Sequence, residues 1–165
     1  MTLSASLLPE FDHEMASLRK VLERLPDEKL AWKPHAKSFS LGELASHVAA
    51  LPTFATDTLN RSEFEIGNLR PPVALASRTD VLAAFDASTG AARAALAGKS
   101  DAELMAIWTL KRNGTPLYSM PKAVVLRSLV LSHVIHHRGQ LSVYLRLLDV
   151  PVPSIYGPSA DEPVF

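Results

Sequence analysis

The 165-residue chain contains no cysteine. That one absence excludes disulfides, thiolate metal sites and a thiol nucleophile supplied by the protein. Any sulfur chemistry would have to borrow its sulfur from another molecule. An excess of charge is missing too: 17 basic residues balance 17 acidic ones, so there is no positive field to recruit a phosphate backbone or an anionic membrane surface. Nucleic acid is not an expected partner. No apolar run approaches the roughly 20 residues that span a bilayer, and "MTLSASLLPEFDHEM" lacks the basic-then-apolar order of an export signal. The expectation is a cytoplasmic protein without membrane contact. With 47% apolar and 21% charged residues, the chain has an ordinary globular composition, and its length predicts one domain over residues 1–165.

What is present is helical periodicity. Phe11, Met15, Leu18, Val21, Leu22 and Leu25 recur at spacings of three and four, one apolar helix face that ends at Pro26. A turn-rich connection, "PDEKLAWKPHAKSF", follows. Ser40 and Glu43 then form an S-x-x-E capping box opening a second helix whose stripe is Leu41, Leu44, Val48 and Leu51. Pro52 is expected to interrupt it. From about Asn60 to Ala76 the chain reads as a loop with Gly67, Pro71 and Pro72, long enough to form a lid. A third helix carries Val81, Leu82, Phe85, Ala92 and Leu96, with Ser77 and Asp80 at its start and Gly98 beyond its end. Ser100 to Glu103 repeats the capping box and predicts a short extra turn.

"IWTLKRNGTPLY" breaks the pattern, because Asn113-Gly114 suits a type I′ turn between apolar flanks. A small β-hairpin is predicted there. Pro121 falls in the first turn of a last helix reaching about Leu148, apolar around most of its circumference and therefore expected to be the most buried element. The fold class predicted is all-α, an antiparallel four-helix bundle with a small β-hairpin before the last helix. Trp32 and Trp108 read as core or pocket wall.

The last helix contains "LSHVIHHRGQ". His133 and His137 are four residues apart, about 40° around the helix axis, while His133 and His136 form a competing pair separated by about 60°. Spacing alone does not choose between His136 and His137. The 133/137 pair is preferred because it aligns with Leu141 and Tyr144, whereas His136 leads toward Gly139 and Gln140. A catalytic metal site normally needs a third protein ligand. His47, on or beside the stripe of the second helix, is the best placed, and His13 and His35 lie in less constrained surroundings. Imidazoles alone do not name the metal. The simpler reading of any one such histidine is a hydrogen-bonded core residue, and Glu43, four residues before His47, is explained by its cap.

"SFSLGELASHVAALP" and "LVLSHVIHHRGQLSVYLRLLDVPVPSIYGPSADE" resemble the two signature regions of the DinB (DinB/YfiT-like) family. The second match carries the histidine cluster, Arg138-Gly139-Gln140, Tyr144-Leu145-Arg146 and the tail with Pro151, Pro153, Tyr156, Gly157 and Pro158. The resemblance implies a four-helix bundle holding a divalent metal on His47, His133 and His137; for such imidazole ligands zinc or nickel is expected first, with iron and manganese as further candidates. It also implies a homodimer and, by analogy with characterised relatives, a thiol-dependent S-transferase acting on a small electrophile with a low-molecular-weight thiol as cofactor.

That reading fits a chain without cysteine, since the open position of such a metal would activate a thiol supplied by a cofactor. The same position would equally serve a water for hydrolysis, and no residue in the sequence decides between them. A metal-dependent hydrolase and a non-enzymatic, stress-related metal- or ligand-binding bundle are therefore the rival readings. Arg138 and Arg146 are candidates for a carboxylate of the thiol or substrate, with surface ion pairing as the simpler role. Tyr156 would either reach the site as a hydrogen-bond donor or pin the tail through its ring.

Overall fold

The structure, a computed structural model, describes residues 1–67 and 72–163. α1 (Leu3–Leu22) begins at Thr2, whose hydroxyl accepts the Ala5 N–H at 3.3 Å. Phe11, Met15, Leu18, Val21 and Leu22 form its buried face. A 3-10 turn (Asp27–Lys29) follows, after which the Leu30 carbonyl accepts the Gly42 N–H at 2.8 Å. A Cβ at Gly42 would lie 3.1 Å from that carbonyl oxygen and 3.2 Å from the Leu30 and Ala74 side chains. Glycine therefore lets the connection close onto the next helix.

α2 (Leu41–Asn60) has both halves of its capping box, Ser40 with Glu43. It runs through Pro52 without ending there, which corrects the expected interruption. Pro52 removes only one ladder hydrogen bond, and the buried Leu51, Ala55, Thr58 and Leu59 on either side keep the segment packed. The expected loop after Asn60 is corrected in part: Glu63–Glu65 form β1. Residues 68–71 of that loop, Pro71 included, lie outside the described residues, so the lid remains a sequence expectation. α3 (Arg78–Leu96) starts at the Ser77 cap, α4 (Asp101–Met105) at a second capping box, and Gly98 takes φ 76° after α3.

β2 (Ile107–Arg112) and β3 (Thr115–Pro121) pair antiparallel around Asn113 (φ 50°) and Gly114 (φ 74°), the two left-handed positions the turn requires. The chain is mostly helical, and its sheet has three strands, correcting the isolated hairpin: β1 lies parallel to β2, Phe64 opposite Leu110. Glu65 fastens the third strand, its carboxylate accepting the Asn113 and Gly114 N–H groups at 2.7 and 3.0 Å. Those backbone donors, Gly114 foremost, hold its pKa below the usual carboxylate value. Inside the sheet Trp108 is fully buried with Val125 and Leu110, its ring edge-on to Phe54 of α2.

Pro121 closes β3 and precedes α5 (Lys122–Val125) rather than sitting within a helical turn. A π-helical stretch (Leu126–Leu131) then leads into α6 (Ser132–Leu147). The expectation of all-round burial here is corrected, because Val124, Val143 and Leu147 are about half exposed. The buried stripe of Leu126, Val130, Leu131, Val134, Leu141 and Leu145 enters the main core. α2 packs on α3 and α6, and α1 packs on the same two helices. Among the described residues no helix is long and apolar enough to cross a membrane.

Arg138 is not a surface residue. It is 1% exposed and pairs at 2.7 Å with Glu14 of α1, itself 5% exposed. Tyr156 of the C-terminal tail donates its hydroxyl to both Glu14 oxygens at 2.8 and 2.7 Å. The hydroxyl also receives a hydrogen bond from Arg138, whose guanidinium lies 4.8 Å from the ring centroid. The three residues lock α1, α6 and the tail together. Arg138→Met alone leaves a buried carboxylate without its cation and is expected to cost about 3–5 kcal/mol. Combining it with Glu14→Leu is expected to recover most of that loss; urea unfolding of the single and double variants measures both. A double variant as unstable as the sum of its singles would refute the pairing as the source of the loss.

Candidate metal centre

The geometry of α6 separates the histidines that the sequence could only pair. His133 and His137 turn toward α2, their Nε2 atoms 2.8 Å apart. His47 faces them from α2, its ring centroid 5.3 Å from His133 and 4.8 Å from His137. One ring nitrogen from each of the three lies within 4.8 Å of the others. His136 is exposed and stays outside this group, although its ring neighbours His137. His13 stacks on Tyr156, and His35 accepts the Lys37 N–H at 3.1 Å in a local turn. Neither approaches the triad.

The hydrogen bonds around the triad orient its lone pairs. With Gln140 Oε1 as acceptor, His137 donates through Nδ1 at 2.7 Å, which leaves its Nε2 an acceptor. His133 makes a backbone hydrogen bond with Leu129 while its Nε2 faces that of His137. Two imidazole lone pairs so close repel unless a proton or cation lies among them. Second-group anchoring of this kind is the usual way a metal-binding imidazole is fixed in its tautomer. Gln140 was not predicted in this role; its sequence signal is the i,i+3 spacing from His137, which needs the helix face to be known first.

The electrostatics favour neutral rings. Burial, followed by the proximity of His137 and His133, pushes the His47 pKa down from 6.5 to about 4. Burial is also the main cause lowering His133 and His137. Neutral imidazole is the form that binds a metal. Glu43 supplies no ligand: its carboxylate accepts the Ser40 N–H at 2.6 Å, which is the chief cause of its lowered pKa, and it pairs with Lys33 at 3.3 Å.

The triad opens into a cavity of about 790 Å³ between α2, the π-helical stretch and the sheet. Leu51 and Phe54 of α2, Phe64 and Leu110 of the sheet and Leu129 give it apolar walls, with Tyr118 of β3 among them. Arg138 and Tyr156 are not part of this wall: Arg138 faces α1 and Tyr156 anchors the tail to it. Arg146 pairs with Asp161 near the helix end. Of the two tryptophans, Trp108 is core, and Trp32 stands edge-on to Tyr144, ring centroids 5.5 Å apart. Sequence reasoning missed Phe64, because a three-residue strand is too short for its alternation to register.

The chain belongs to the DinB family, whose model matches residues 1–163. Among curated proteins it is similar to the uncharacterized protein YrdA of Bacillus subtilis (strain 168), with 27% identity over 155 residues covering 94% of this chain and 89% of YrdA. Among solved structures it resembles a DinB-like protein from Bacillus cereus ATCC 10987, with TM-score 0.72, 28% identity and coverage of 90% of this chain and 95% of that one. A DinB-like protein of Bacillus subtilis, YjoA, shares the fold at TM-score 0.70 and 17% identity, with coverage of 97% and 99%.

The lowered imidazole pKa values couple stability to pH in a definite direction. Between pH 6.5 and about 4 the unfolded chain binds a proton at His47 that the folded chain does not, so the metal-free protein loses stability as pH falls through that window. His47 alone is expected to contribute a loss on the order of 2 kcal/mol between pH 7.5 and 5. Urea midpoints of metal-free wild type and His47→Leu at the two pH values test this: the variant should show the smaller drop, and equal drops would remove His47 as the cause.

Proposed function

We propose that the protein is a divalent-metal-dependent enzyme in which His47, His133 and His137 hold the ion, the four long helical segments forming an antiparallel bundle around it. The observation that carries this reading is the convergence of three half-buried, neutral imidazoles at the floor of one cavity. Isolated core histidines find separate hydrogen-bond partners, whereas here one ring nitrogen from each lies within 4.8 Å of the others. Zinc or nickel suits the all-nitrogen donor set, and iron or manganese would also bind. A divalent ion with an open position supplies a Lewis acid that lowers the pKa of a thiol brought to it.

The reaction proposed is S-transfer from a low-molecular-weight thiol to a small electrophile. In the general form, the S–H proton is released, a C–S bond forms, and the leaving group departs with the electron pair of its bond to carbon. The chain's own part is to orient and exclude water. Gln140 holds His137 through Nδ1, the Leu129 backbone hydrogen-bonds His133, and the apolar walls keep bulk water from competing with the thiol. Sulfur comes from the cofactor because the chain has none to offer as thiol.

Elemental analysis of untagged protein is expected to find near-stoichiometric metal in wild type and His136→Ala, and little in the His47→Ala, His133→Ala and His137→Ala variants. Metal-loaded wild type should consume chlorodinitrobenzene only when a low-molecular-weight thiol is added, releasing chloride as the aryl thioether forms. Ester hydrolysis without thiol would favour a hydrolase at the same triad. Wild type that takes up none of zinc, nickel, iron or manganese would overturn the metal reading.

A further inference from the structure

The cavity above the triad has a selectivity of its own. Its volume, about 790 Å³, accommodates a bicyclic small molecule with room to spare. Among the described residues no Lys, Arg, Asp or Glu lines it. Apart from the three histidines, the polar side chain in its wall is Tyr118. Two aromatic rings, Phe54 and Phe64, stand edge-on to each other in the same wall with centroids 5.3 Å apart, a surface suited to a flat ligand. In the metal-free protein an anionic group entering here would lose its hydration without finding a charged side chain among the described walls, a penalty that an uncharged molecule avoids.

Tyr118 supplies the directional element. It sits on β3 opposite Leu110 in the hairpin and is partly buried. Desolvation is the sole cause acting on its hydroxyl, raising the pKa, so the group remains a neutral donor. A polar hydroxyl in an apolar wall is the kind of group that fixes ligand orientation.

We infer that this cavity takes an uncharged, aromatic or otherwise apolar ligand bearing one hydrogen-bond acceptor, and that Tyr118 is the specificity-determining residue that receives that acceptor. The inference rests on the metal-site reading only for what lies at the cavity floor, where a bound ion would itself attract an anion; it concerns the walls, and it makes the part of the electrophile that they hold neutral. Charged groups of a thiol partner other than its sulfur stay outside these walls. Ala50, exposed on α2 yet part of the lining, offers a place to alter the cavity's charge without touching the core.

The test is fluorescence titration of the metal-free full chain, using prodan, an uncharged naphthyl ketone, and anilinonaphthalene sulfonate, an anion of similar size, with zinc uptake measured separately. Prodan should saturate at one molecule per chain and bind at least about tenfold tighter than the anion, in keeping with the cost of burying an uncompensated charge. Tyr118→Phe should weaken prodan about threefold to tenfold, the scale of one neutral hydrogen bond, and shift its emission to the blue. Ala50→Glu should weaken it by about tenfold or more while zinc uptake is unchanged. Equal or tighter binding of the anion, or an Ala50→Glu variant that binds prodan as wild type does, overturns the inference. If zinc is not taken up but prodan still discriminates, the metal reading fails and the cavity's selectivity stands; zinc uptake without discrimination does the reverse.

Discussion

Three half-buried imidazoles with ring nitrogens within 4.8 Å of one another are an arrangement that burial and mutual proximity both work against, and the surrounding packing holds it together. Burial opposes protonation of all three rings, and their mutual proximity adds to that opposition at His47. Such a centre survives only if the helices carrying it cannot drift apart. α2 and α6 are fixed by packing on each other and by α1 and α3, which both of them share as neighbours directly or through the common core. The sheet adds a second brace, since Phe54 of α2 is wedged against Trp108 and Phe64. The brace is also the cavity wall, so one set of contacts holds the ligands and shapes the space above them.

The π-helical stretch lies in a continuous run that serves two cores. A π turn contains one residue more than an α turn, which changes the phase of everything after it by about 100°. Before it, Val125 is buried with Trp108 in the sheet's small core. After it, Val134, Leu141 and Leu145 are buried in the main core, and His133 and His137 come round to meet His47. The position of the irregularity, immediately before His133, is where a rotation has most effect on the triad.

Legibility in the sequence followed the range of the interactions involved. Ser40 with Glu43, Ser77 with Asp80 and Ser100 with Glu103 could be read because a cap is settled within four residues. The Asn113-Gly114 turn could be read because its positive φ angles restrict residue choice locally. β1 could not: three residues of alternation carry little signal, and what holds them is Glu65 reaching the hairpin turn 48 residues away. Pro52 misled because its local effect is unfavourable, while the burial that outweighs it comes from other elements. At the site, i,i+4 spacing brought out His133 and His137 and the stripe of α2 brought out His47. The family resemblance joined the three. The exclusion of His136 and the recruitment of Gln140 depended on the phase of α6, which the apolar residues around its circumference concealed.

Arg138 shows the same limitation from the other direction. It follows His137 immediately, so its side chain leaves the helix about 100° further round and meets α1 instead of α2. A basic residue beside a histidine cluster invites a reading as part of the site, yet burial with Glu14 and Tyr156 gives it a different duty. Such a fully buried ion pair adds little net stability compared with apolar packing of the same volume, but it tolerates very few alternative arrangements. Its placement one residue from a triad member couples the two: the contact that fixes the rotation of α6 against α1 also fixes the direction in which His137 faces α2. The tail residue Tyr156, which sequence reasoning left between a donor in the site and a pin for the tail, is a pin whose hydroxyl completes that rotational lock.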